Sequence, residues 1–191
     1  MEIQARLTHD KLNHAQDNNV QLVVSLTAPQ LDWVAKRPNL CVVPVIDLSG
    51  SMSGGKLEYA KESMGKLVDQ LQPGDIVGLI GFEGRIHKLM EPQLATAEVK
   101  TKLKNIISKL GPLGGTDLNG GVLEALRMVE GLDLHPKYIK RIIVFTDGEP
   151  SAGIVDKPQI LRLLKENLGT STVSAFGYGG GTGIRFALSI G

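Results

Sequence analysis

The sequence predicts an α/β fold, a mostly parallel central sheet flanked by helices. Two observations carry this. Short, continuously apolar runs alternate along the chain with amphipathic stretches of helical spacing. The apolar runs lack the in-out polar alternation of a strand with one wet face, so they read as strands buried on both sides.

The elements follow in order. Val20–Leu26 reads as a first strand, in a short N-terminal β extension, and Leu40–Ile46 as a second, continuously apolar one. Residues 56–71 place Leu57, Ala60, Met64, Leu67, Val68 and Leu71 on one helical face, and Gln72-Pro73-Gly74-Asp75 stops the helix. Ile76–Phe82 is the next apolar run. After the Glu83-Gly84 turn, Arg85–Met90 reads as a shorter strand. Thr96–Leu110 is a second helix with Val99, Leu103, Ile106, Ile107 and Leu110 inward, ended by Gly111 and Pro112. Leu118–Leu132 is a third helix carrying Val122, Leu126 and Val129. Arg141–Phe145, Gln159–Leu168 and Thr172–Phe176 then read as strand, helix and strand. The result is a doubly wound, Rossmann-like sheet with one antiparallel edge strand. Pro44 conflicts with a central strand because it removes a ladder donor, so a bulge or an unpartnered side is expected there.

With 191 residues, 42% hydrophobic and 21% charged, the chain fits one domain with an appendage. Lys and Arg total 21 against 20 Asp and Glu, a net charge of +1 that gives no reason to invoke nucleic acid or an anionic membrane as partner. The single cysteine, Cys41, excludes an internal disulfide framework and reads as core filler. The N-terminus shows no basic segment leading into an apolar stretch, so a cytoplasmic location is expected.

Ligands of doubly wound sheets sit beyond the carboxyl ends of the strands. Three segments bring small oxygen groups there: Asp47-Leu48-Ser49-Gly50-Ser51, Gly114-Gly115-Thr116-Asp117 and Thr146-Asp147-Gly148. The alternation of Asp47, Ser49 and Ser51 lets an extended turn send three side chains one way. Two carboxylates and three hydroxyls are hard donors suited to Mg²⁺ or Mn²⁺. Singly, each piece fits a humbler role: Asp47 and Ser49 as a turn or helix cap, Thr116 or Asp117 as the cap of the following helix, Asp147-Gly148 as a turn. Jointly those roles leave a complete hard-cation set unexplained.

These residues resemble the von Willebrand factor A domain with its metal-ion-dependent adhesion site. That family's Asp-x-Ser-x-Ser, distant Thr and distant Asp-Gly are matched by Asp47, Ser49, Ser51, Thr116 and Asp147. The resemblance implies Mg²⁺, with Mn²⁺ or Ca²⁺ as alternatives, held by those five residues. It also implies a vacant face that accepts an Asp or Glu carboxylate from a partner protein. The expected function is therefore a divalent-metal-dependent protein-binding module with no enzymatic activity. The alternative is a structural or assembly subunit, for example beside a ring ATPase or chelatase, whose metal only organises loops. On the family pattern, residues 1–38 are a β-containing extension, and residues 39–191 are the domain without its final strand and helix.

Two rival chemistries fall short. Gly50 to Lys56 satisfies Gly-x-x-x-x-Gly-Lys, but Leu57 stands where a nucleotide-binding loop needs a hydroxyl. Hydrolysis would need a base or an activated nucleophile. His9, His14, His87 and His135 have no ligand spacing, and Glu83 and Glu149 read as solvated loop carboxylates.

Overall fold

A computed structural model describes residues 2–7, 22–27, 37–148, 150–179 and 184–190. Trp33, Glu149, His9, His14 and the glycines at 180, 181 and 183 lie outside them. The chain divides into two compact units, Met1–Arg37 and Pro38–Gly191. In the first, β1 (Glu2–Leu7) pairs antiparallel with β2 (Leu22–Thr27), Glu2 opposite Thr27 and Leu7 opposite Leu22.

The second unit runs β3 (Leu40–Asp47), α1 (Gly55–Gln70), β4 (Ile76–Phe82), β5 (Ile86–Leu94), α2 (Ala97–Ser108), α3 (Leu118–Glu130), β6 (Ile139–Thr146), α4 (Lys157–Asn167), β7 (Thr172–Tyr178) and β8 (Ile184–Ile190). Its strands order as β5-β4-β3-β6-β7-β8. The four inner strands are parallel, and β5 and β8 are antiparallel edges. The fold class is thus the α/β sheet the sequence predicts, with a second antiparallel edge at 184–190 that the sequence reading did not include. β5 also runs to Leu94, past Pro92; an edge strand tolerates the missing donor.

Side chains of β3 alternate between two cores, which is why its run is apolar throughout. Val42 and Ile46 join Leu57, Ala60, Met64 and Val68 of α1 and Leu103 and Ile107 of α2. Cys41, Val43 and Val45 join Val122, Ala125, Leu126 and Val129 of α3 and Ile160 and Leu164 of α4. Spacings of three and four residues on each helix produce these faces. Thr96, Asp117 and Asp156 cap α2, α3 and α4 by accepting from the amides of Val99, Gly120 and Gln159. α3 lies close to the sheet because Gly121 leaves room for Phe82, whose ring would lie 2.9 Å from a Cβ at that position.

Pro44 is accommodated without a bulge. The register to β6 runs unbroken through Pro44 opposite Ile143. Toward β4 it lapses at Val43 and Pro44 and resumes at Val45 opposite Ile80, so the missing donor disturbs one side of the strand only.

Candidate metal centre

Chain order carries β3 to β4 on one side of the sheet and then to β6 on the other, so the strand order reverses between β3 and β6. A crevice forms at such a point beyond the strand ends. Asp47 ends β3 and Thr146 ends β6, which brings the first and third oxygen-bearing segments side by side.

Asp47 is fully buried. Its Oδ1 accepts the backbone amide of Ser49 at 2.8 Å, and its Oδ2 accepts the Thr146 hydroxyl at 2.6 Å. Burial pushes this carboxyl above its ordinary value of 3.8; hydrogen bonds from the Thr146 hydroxyl and from the Ser49 hydroxyl and amide counteract the rise, and the nearby charge of Asp147 adds to it. In front of Asp47 runs a row of oxygens. The Ser49 and Ser51 hydroxyls lie 2.9 Å apart, and Ser51 Oγ donates to Asp147 Oδ1 at 2.8 Å. The other oxygen of Asp147 accepts Lys56 Nζ at 2.5 Å.

The middle segment is stitched to the first by backbone bonds. Leu113 N–H donates to the Leu48 carbonyl at 2.6 Å, and Gly50 N–H donates to the Gly114 carbonyl at 3.0 Å. Thr116 is buried, and its carbonyl accepts the amides of Ser151 and Ala152 at 3.0 and 3.1 Å. Its own amide donates to Ser151 Oγ at 3.1 Å. Ser49, Ser51 and Asp147 therefore form one bonded row with Asp47 behind it, while Thr116 stands on the adjoining loop.

The capping roles resolve as follows. Asp117, not Thr116, caps α3. Asp47 caps no helix: α1 starts after Gly54 with no side-chain cap, and the Asp47–Ser49 contact is a local turn. Glu83 departs from the solvated reading. Its side chain is 15% exposed, bonds the Gly84 amide and lies 3.4 Å from His87 Nε2, while its carbonyl accepts the Asp117 amide at 2.6 Å. His135 is occupied locally, accepting the Lys137 amide at 3.2 Å.

Sequence reasoning missed Thr146 and Lys56 as parts of the site. Thr146 carried a signal, a hydroxyl next to Asp147 at a strand end. Lys56 appeared only as the start of the first helix and within the phosphate-loop lookalike.

The residues present fit a hard divalent cation: they are oxygen donors, two are hydroxyls already in contact, and the buried carboxylate lies behind them. Among the described residues there is no group of three or more His, Cys, Asp or Glu that could hold a metal ion. No described helix is long and apolar enough to cross a membrane. A cleft of about 480 Å³ adjoins Asp147, lined by Leu118, Pro150, Ile160, Leu161 and Ala175.

The von Willebrand factor type A domain profile matches residues 42–149, more than half of the chain. Bovine inter-alpha-trypsin inhibitor heavy chain H1 is 30% identical over 79% of this chain and 17% of its own length. Mouse inter alpha-trypsin inhibitor, heavy chain 4 is 33% identical over 72% of this chain and 15% of its own. The chain thus spans less than a fifth of these relatives. Among solved structures, a von Willebrand factor type A protein from Catenulispora acidiphila shares the fold, with a TM-score of 0.65, 21% identity, and coverage of 83% of this chain and 35% of that one. The profile match and these relatives show that the chain belongs to the von Willebrand factor type A domain family, whose members mediate protein–protein interactions.

Proposed function

We propose that this chain is a non-enzymatic, divalent-metal-dependent protein-binding module. Asp47, Ser49, Ser51, Thr116 and Asp147 hold Mg²⁺, with Mn²⁺ or Ca²⁺ as alternatives, and the partner is a protein that presents an Asp or Glu carboxylate. The observation that supports it is the bonded row from Ser49 through Ser51 to Asp147, 2.9 and 2.8 Å between oxygens, in front of a buried carboxylate.

The chemistry of that row points to a bridging role. A cation held mainly by neutral hydroxyls keeps much of its charge and attracts an external carboxylate. The chain's own residues supply orientation. Thr146 and the Ser49 amide fix both Asp47 oxygens, and the Leu48–Leu113 and Gly50–Gly114 bonds keep the Thr116 loop against the serines.

The test is affinity capture of partners by the full chain with and without chelator, then with Mg²⁺ restored. Capture should require the metal and should be lost in Ser51→Ala. Capture that survives the chelator while the melting temperature falls on metal removal would move the metal to a purely structural role.

A further inference from the structure

The oxygen row carries a cation of its own. Lys56 is the second residue of α1, where a positive charge opposes the helix dipole and is ordinarily disfavoured. An exposed lysine paired with a carboxylate usually contributes little. This pair differs from that pattern in two respects. The Asp147 side chain is 1% exposed, so its oxygen is largely withdrawn from water. Lys56 Nζ is also anchored twice, to Asp147 Oδ2 at 2.5 Å and to the Ser51 carbonyl at 3.1 Å, so it ties the first metal-site loop to the third. Two of the three ammonium donors are committed there.

We propose that Lys56 is the built-in counter-cation of this site. It holds Asp147 against the Ser51 loop when no metal is bound and competes with a divalent ion for that carboxylate. The inference rests on the metal-binding reading above and deepens it. Two ionised carboxylates and one ammonium leave the cluster at a formal charge of −1 without metal, and a divalent cation brings it to +1. Lys56 therefore weakens metal binding and leaves the loaded site in need of an anion, which favours a carboxylate partner over a neutral one.

The experiment is calorimetric titration of MgCl₂ and MnCl₂ into the chelator-treated full chain, comparing wild type, Lys56→Met and Lys56→Arg, with melting temperatures in chelator. Lys56→Met removes the charge and keeps the stem. It should bind metal about tenfold more tightly, the scale of one nearby charge in a partly solvated site. In chelator it should melt about 2–4 °C lower. Lys56→Arg keeps the charge and should stay near wild type in affinity. Equal or weaker metal binding by Lys56→Met overturns the proposal while leaving the metal site intact, and so does an unchanged melting temperature in chelator. Absence of metal binding in wild type and variant alike overturns the metal-binding function and this inference together.

Discussion

The Thr146 hydroxyl donates to the buried carboxylate of Asp47 at 2.6 Å, joining the ends of two adjacent parallel strands. That bond keeps a fully desolvated carboxylate in place, and the same hydroxyl accepts the Gly148 amide at 3.3 Å. Thr146→Val keeps the shape and removes both interactions. It should lower unfolding free energy in chelator by about 2–4 kcal/mol, the cost of leaving a buried charged acceptor short of a donor. Thr146→Ser should retain most of the stability. Urea denaturation checks both, and a Thr146→Val midpoint equal to wild type would show that Asp47 does not depend on this donor.

Asp47→Asn should separate stability from metal binding. Burial raises the folded carboxyl above 3.8, so its stabilising contribution is fully present below that value and lost as pH rises through the raised one. The neutral amide avoids this loss. In chelator the variant should match wild type near pH 4 and exceed it at pH 7, while showing no melting shift on adding Mg²⁺. Thermal melts across that range are the check. A variant less stable than wild type at pH 7 would contradict the electrostatic account.

Gly153→Ala tests the clasp around Thr116. Gly153 has φ +64°, and a Cβ there would lie 2.2 Å from Asp117 Oδ1. The new methyl group should break the α3 cap and shift the 151–153 backbone that holds the Thr116 carbonyl. We expect a loss of about 2–3 kcal/mol, combining left-handed strain with the lost cap. Metal affinity should weaken in parallel. Loss of stability with unchanged affinity would remove Thr116 from the ligand set.

Cys41 supplies a pH-dependent check on the core. Burial pushes its thiol from 9.0 up to about 11. The unfolded chain ionises first, so stability is unaffected below pH 9 and falls by about 1.4 kcal/mol per unit between there and pH 11. At pH 8 the native thiol should react with a disulfide reagent only as fast as the chain opens. Rapid labelling of native protein would place Cys41 at an accessible surface.

Much of this architecture was legible in the sequence because its inner strands are buried on both faces. Leu40 to Ile46 and Ile76 to Phe82 announce themselves by unbroken apolarity, and Leu57, Ala60, Met64 and Val68 by helical spacing. The edges were less visible. β5 carries polar residues and Pro92, and β8, apolar but for Arg185 and Ser189, follows a run of glycines that reads as loop. The oxygen-bearing loops were legible as residue types at strand ends. What the sequence could not convey was pairing across about a hundred residues: Thr146 to Asp47, and Lys56 to Asp147. Such contacts depend on which strands become neighbours, and local pattern does not encode that.

The most direct measurement is anomalous diffraction from crystals of the full chain grown with Mn²⁺. One peak should lie within bonding distance of the Ser49 and Ser51 hydroxyls and beside Thr116, with Asp47 and Asp147 bound directly or through water. Full-occupancy manganese elsewhere, or no peak at that position, would contradict the assignment of these five residues to a metal.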